Sequence, residues 1–242
     1  MKPSILITGA SGGIGRATAE MFGRAGWRVG LTARRADKLK DVAAGIEAAE
    51  VLPADLTDPA QVAQAFTQFS KGGRLDVLFN NAGIFTPAAP IDEVSLESWH
   101  AAVNINLNAM FYCARAAFGQ MRAQTPQGGR IINNGSISAT TPRPGSVTYT
   151  ATKHAITGLT KTIALDGRPF DIACGQIDIG NARTDLLQGI IDKAVEKGET
   201  PPPTMDVDDV ARAVFSMAQL PLEANVLSMT IMATKMEFVG RG

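Results

Sequence analysis

Apolar residues gather along the chain in six short runs, at 4–8 (SILIT), 28–32 (RVGLT), 75–79 (LDVLF), 130–133 (RIIN), 171–177 (DIACGQI) and 225–232 (NVLSMTIM). Near-continuous runs of this length are what strands buried on both faces require. A further short strand is predicted at 50–52. Between the runs, apolar positions recur at helical spacing over 13–25, 36–47, 59–69, 97–123, 149–165 and 206–219. Pro59 just inside the third helix and Asp206 at the start of the last are helix-start signals. Strands that alternate with helices imply right-handed crossovers, so the pattern predicts α/β architecture: one doubly wound parallel sheet of about seven strands, helices on both faces. The stretch 184–205, ending in TPPPT, breaks the pattern and reads as a mobile loop or short helices rather than a linker.

Composition narrows the function without naming it. Of 242 residues, 45% are hydrophobic and 19% charged, and 23 basic side chains balance 23 acidic ones. That balance suits one soluble α/β domain over 1–242 and leaves no basic footprint for nucleic acid or an anionic membrane. Cys113 and Cys174 are too few for a disulfide framework, and neither they nor His100 and His154 show metal-ligand spacing. No metal is expected. The N-terminus enters an apolar strand at once with no cleavage pattern, so the expected location is cytoplasmic.

Two motifs carry candidate chemistry. TGASGGIG at 8–15 follows the first strand and opens the first helix. Gly9, Gly13 and Gly15 let the backbone turn tightly and approach a pyrophosphate, while the helix N-terminus offers free N–H groups and a positive dipole end. This is the dinucleotide-binding pattern in its expected place. Eighteen residues beyond Gly15, where an NAD site would place a carboxylate for the ribose hydroxyls, stands Ala33, followed by Arg34 and Arg35. A guanidinium without that carboxylate suits a 2′-phosphate, so NADP(H) is expected in preference to NAD(H), which stays possible. The second motif is TYTATKH at 148–154. Tyr149 and Lys153 lie four apart on one helix face, and an ammonium beside a phenol favours the phenolate, so an apparent pKa well below ~10 is expected.

With TGASGGIG at 8–15, DL at 55–56, NNAG at 80–83, NINLN at 104–108, GSIS at 135–138 and YTATK at 149–153, the chain resembles the short-chain dehydrogenase/reductases (SDRs) over about residues 4 to 232. The resemblance implies a single Rossmann-type domain and hydride transfer between NADP(H) and a carbonyl or secondary alcohol, as in a 3-oxoacyl reductase or a general ketone reductase. It implies Tyr149 as acid/base, Lys153 as the group that tunes it and holds the nicotinamide ribose, and Ser136 as hydrogen-bond donor to the substrate oxygen, with Ser138 the competitor. Asn106 would hold a water for proton relay, with Asn104 and Asn108 as decoys. The cofactor set it implies is Gly9, Ser11, Gly13, Ile14, Gly15, Arg34, Asp55, Leu56, Asn81, Ala82, Gly83 and Thr184, together with Tyr149 and Lys153. The alternative is a non-catalytic dinucleotide-binding or sensor protein on the same fold.

One departure stands out. Where the family usually has a Pro-Gly pair and then a threonine, this chain reads IDIGNART at 177–184, with Ile179 in place of the proline. The expected turn loses a fixed φ and regains a donor. The expected substrate lining, Ile84 to Ala89, Thr140 to Val147 and Leu186 to Pro203, includes Arg143, Asp185 and Asp192 but names no ligand beyond a small carbonyl or alcohol. Apolar and small residues on the helices 97–123 and 149–165, read with the resemblance, imply a homo-oligomer, dimer or tetramer.

Overall fold

The computed structural model describes residues 2–196 and 198–239, and the side chains at 185, 186, 190 and 193 lie outside the described residues, among them the expected lining residues Asp185 and Leu186. Seven strands, β1 (Ser4–Thr8), β2 (Arg28–Thr32), β3 (Ala49–Val51), β4 (Val77–Asn80), β5 (Gly129–Asn134), β6 (Ile172–Ile179) and β7 (Ser228–Ile231), form one sheet in the order β3-β2-β1-β4-β5-β6-β7. Every pairing is parallel. β1 pairs with β2 on one side and β4 on the other, so the strand order reverses at its C-terminal end and opens a crevice there.

Helices cover both faces. α1 (Gly13–Arg24) and α8 (Val207–Gln219) pack Phe22, Val210 and Val214 against Ile5, Ile7 and Ile177 on one side. On the other, α3 (Pro59–Ser70) and the helix Ala109–Ala123 bring Phe66, Phe69, Cys113 and Met121 onto Leu6, Leu78 and Ile131. Both predicted start signals lie at helix starts: Pro59 stands in the first turn of α3, capped by Asp58, which accepts from the Ala60 and Gln61 amides, and Asp206 accepts from the Asp208 amide. α2 (Ala36–Ala43) ends four residues earlier than its apolar spacing suggests.

Two expectations needed correction. The helix expected over 97–123 is divided into α4 (Leu96–Val103), a π-helical turn (Asn104–Asn108) and α5 (Ala109–Ala123). The apolar spacing carries through a single wide turn, so periodicity does not show it. The irregular 184–205 stretch contains a twelve-residue helix, α7 (Asp185–Glu196), begun by Thr184, whose hydroxyl accepts from the Leu187 amide. Its apolar spacing lies in LLQGII, ahead of the prolines of the loop. The remaining long helix, α6 (Val147–Asp166), begins two residues before the expected start and so takes Tyr149 into its first turn.

Candidate active site

The glycine turn has the geometry its composition predicts. Gly9 (φ 66°) and Gly13 (φ 51°) take left-handed backbone that a side chain would strain, and a Cβ on Gly15 would sit 2.3 Å from the Gly9 carbonyl oxygen. The cap residue of α1, Gly12, brings no side-chain hydrogen bond to the helix N-terminus, and a Cβ there would meet nothing within 4 Å. First-turn amides facing open space, with no side chain to cap them, fit a pyrophosphate. A Cβ on Gly13 would meet Thr184 Cγ2 at 3.1 Å, so Thr184 stands over the turn as the spacing suggested.

Asn81 braces the crevice floor. Its amide and that of Ala82 donate to Thr8 Oγ1 at 2.7 and 2.9 Å, Asn81 Nδ2 donates to the Thr8 carbonyl, and Asn134 Nδ2 donates to Asn81 Oδ1 at 2.8 Å. The NNAG segment therefore ties β1, β4 and β5 together at their C-terminal ends. Asp55 accepts from the amide and hydroxyl of Thr57, bonds that hold its carboxyl below the usual carboxylate range, with Arg34 adding to the effect. Arg34 thus lies towards Asp55, while Arg35 Nη2 donates to Ser11 Oγ at 3.3 Å, within the glycine turn itself. Sequence reasoning named Arg34 alone; Arg35, which precedes α2, joins the candidate set. Together with Ala33, these two guanidiniums make the end of β2 cationic and free of a carboxylate.

The three proton-handling candidates meet at the end of β5. Ser136 is the residue before a short 3₁₀ turn (Ile137–Ala139), and its hydroxyl accepts from the Ser138 amide at 3.1 Å. Ser136, Ser138 and Lys153 are all buried, and of the two serines it is Ser136 that acts on the Tyr149 phenol, favouring its ionised form. Lys153 Nζ donates to the Asn134 carbonyl at 2.7 Å and stands 5.4 Å from the Tyr149 ring centroid. Phe85 lies against the other side of that ring, centroids 4.3 Å apart.

The electrostatics correct the expected pKa. Burial pushes the Tyr149 phenol up to about 12, against the smaller lowering effects of Ser136 and Arg143. Burial also pulls the Lys153 ammonium down to about 8, with Asp178 holding it up. Spacing of four on a helix puts both groups on one face, but it says nothing about desolvation, which dominates the shift of each.

Asn106, in the π-turn, is fully buried and clamps Ile84: its Oδ1 accepts from the Ile84 amide at 2.7 Å and its Nδ2 donates to the Ile84 carbonyl at 3.0 Å. Asn104 and Asn108 bond each other instead, Asn108 Nδ2 donating to Asn104 Oδ1 at 3.0 Å. At the departure noted above, Ile179 pairs with Ile231 and the Gly180 amide donates to the Ile231 carbonyl at 2.8 Å. Without the proline, β6 runs on as a paired strand to its last residue.

Comparison with known proteins agrees with this geometry. The family model for short chain dehydrogenase matches residues 3–194. The 3beta-hydroxysteroid dehydrogenase of Mediterraneibacter gnavus is 33% identical over 189 residues, 76% of this chain and 67% of that protein. The 3-ketoacyl-(acyl-carrier-protein) reductase from Brucella melitensis, solved with NADH, superposes with a TM-score of 0.85 at 26% identity, covering 95% of this chain and 96% of that one. ElxO, solved with NADP bound, superposes at 0.85 with 29% identity, covering 95% and 98%. The chain belongs to the short-chain dehydrogenase family, and the two solved structures it superposes on here hold a nicotinamide dinucleotide.

Proposed function

We propose that this protein reduces a carbonyl group to a secondary alcohol with NADPH, and catalyses the reverse reaction at high pH. The observation that carries the reading is the convergence of Ser136, Tyr149 and Lys153 at the end of β5, across the crevice from an uncapped glycine turn. When bound, the dinucleotide supplies or accepts the hydride. Ser136 donates a hydrogen bond to the substrate oxygen, and Tyr149 gives that oxygen its proton. A phenol held up near 12 stays protonated at neutral pH, which suits it as the acid of the reductive direction. Lys153 presents positive charge beneath the phenol and holds the ribose; Asn106 shapes the π-turn beside which a relay water would sit. All four catalytic positions are filled, so the altered 177–184 turn is what remains in favour of a non-catalytic binding role.

The preference for NADPH rests on Ala33, Arg34 and Arg35; the relatives do not decide it, since one was solved with NADH and another with NADP. The substrate reading is a small to medium ketone or 3-oxoacyl compound. Phe85 packs on the catalytic phenol and Arg143, from the loop after β5, acts on it electrostatically. A homo-oligomeric, cytoplasmic enzyme is part of the same proposal; among the described residues no helix is long and apolar enough to cross a membrane. The experiment is a panel of ketones, quinones and acyl thioesters with NADPH oxidation as the readout. Absence of turnover on every compound, with tight NADPH binding intact, would favour the binding protein instead.

A further inference from the structure

Asp178 is the buried charge that the proposed reaction does not use. It is the penultimate residue of β6, and only 6% of it is exposed. Its Oδ1 accepts from the Ser136 amide at 2.8 Å and from Gln176 Nε2 at 2.7 Å. Gln176 continues inward: its Nε2 also donates to Thr157 Oγ1 at 3.1 Å, and its Oε1 accepts from Thr160, which in turn accepts from Asn133 Nδ2 at 2.9 Å. The array links β5, β6 and α6 behind the catalytic turn. Gly135 makes room for it, since a Cβ there would lie 2.1 Å from Asp178 Oδ1 and 2.7 Å from Gln176 Nε2.

Such a carboxylate is expensive to bury unless it does something a neutral residue would not. The groups around it narrow what that is. From α6, Lys153 and Tyr149 lie close enough for its charge to act on both without a direct hydrogen bond, and Arg143 acts on the same phenol from the loop after β5. The flanking strands contribute only neutral groups: Thr230 of β7 pairs directly with Asp178, and β5 presents Asn134 and Gly135. Among the described residues Lys153 is the buried cation that acts on Asp178, and Lys153's own hydrogen bond goes to a neutral carbonyl.

Resting on the dehydrogenase reading above, we infer that Asp178 is a positioning residue for the proton-transfer unit, its carboxylate fixing the Ser136 turn through the backbone amide and its charge keeping Lys153 an ammonium inside the closed site. The two parts separate by substitution. Asp178→Asn keeps an acceptor for the Ser136 amide and removes the charge. Asp178→Glu keeps the charge and displaces the carboxylate from that amide.

The primary measurement is the titration of Lys153 in the protein without substrate, followed by NMR of lysine labelled at Cε and assigned with Lys153→Met. Asp178→Asn should move the Lys153 midpoint acidward by about half a pH unit or more, while Asp178→Glu should move it less. In turnover, Asp178→Asn should shift the alkaline fall of ketone reduction acidward by the same amount, and Asp178→Glu should lower kcat about tenfold with KM for NADPH little changed. Should Asp178→Asn fail to fold, the same prediction is read from Asp178→Glu, as a lowered kcat with an almost unmoved midpoint. An unchanged midpoint in Asp178→Asn, or full kcat in Asp178→Glu, overturns the inference. Because the NMR titration needs no substrate, it stands or falls apart from the activity: a protein that turns over nothing but shows the shifted midpoint loses the enzyme reading and keeps the role of Asp178 in the charge of Lys153.

Discussion

The two ends of β5 each hold a buried cation, and the two are treated in opposite ways. At its beginning, Arg130 is 1% exposed, and its guanidinium donates to the carbonyls of Leu220, Pro221 and Ala224 and to Asn225 Oδ1, at 2.9 to 3.1 Å. At its end, Lys153 is 2% exposed and donates to the Asn134 carbonyl. Arginine's rigid fork meets several acceptors at once, which lets it stay charged with no carboxylate against it and join β5 to the chain between α8 and β7. A lysine ammonium under-supplied with acceptors is easier to deprotonate, and burial has lowered it to about 8. The arginine, held through both terminal nitrogens while its buried Nε has no partner, stabilises. The other is left responsive, at the strand end where α/β proteins bind ligands.

Removing this arginine should have the largest effect on stability. Arg130→Ala leaves four acceptors without their donor inside the protein and should cost about 3–5 kcal/mol. Denaturant unfolding would measure it, and the hydride-transfer rate of the folded fraction should match wild type. Arg130→Lys should recover little of the loss, because one ammonium cannot span four acceptors.

At the other end the losses should fall on rate. Tyr149→Phe keeps the ring against Phe85 and removes the transferable proton, so single-turnover hydride transfer from pre-bound NADPH should drop by about 10² or more with NADPH affinity little changed. A wild-type rate in this variant would reduce the Tyr149 and Lys153 pair to a packed helix face.

The pH dependence of stability sharpens the contrast further. Lys153 titrates at about 8 in the folded protein against 10.5 in the unfolded chain, so between these values the unfolded state binds more protons and stability rises with pH. Wild type should therefore gain on Lys153→Met in denaturant midpoint as pH goes from 8 to 10. Above 10, Tyr149, raised to about 12, contributes the opposite slope, which is why the comparison stops there. An unchanging gap would show that Lys153 is not held as an ammonium at a cost to the fold.

The smallest effect expected is on cofactor choice. Arg34→Ala should reduce the preference for NADPH over NADH by about tenfold, with Arg35→Ala having a lesser effect, in fluorescence titrations of both cofactors. Equal affinity for the two cofactors in wild type would remove the phosphate argument altogether.

Much of this architecture was legible in one dimension, because its causes are local. The apolar runs located all seven strands to within a few residues, since a strand covered on both faces has to be apolar nearly throughout. The positions of Gly9, Gly13 and Gly15 were legible because positive φ and a backbone approaching another backbone leave few alternatives. Pro59 and Asp206 were readable as helix-start signals because such signals act within three residues. The spacing of Tyr149 and Lys153 put them on one face of α6 without any tertiary contact.

What the sequence could not supply depends on distance and desolvation. Asp178 sits 42 residues from the Ser136 amide it accepts from, and only the pairing of β5 with β6 brings them together. The π-turn at Asn106 follows from its clamp on Ile84, a contact across 22 residues. Arg35 joins the glycine turn through Ser11 because β1 and β2 run side by side. The sign of the Tyr149 shift needed the three-dimensional fold most of all, since a neighbouring charge can be counted along a helix, whereas the water removed from a phenol is decided by everything packed around it.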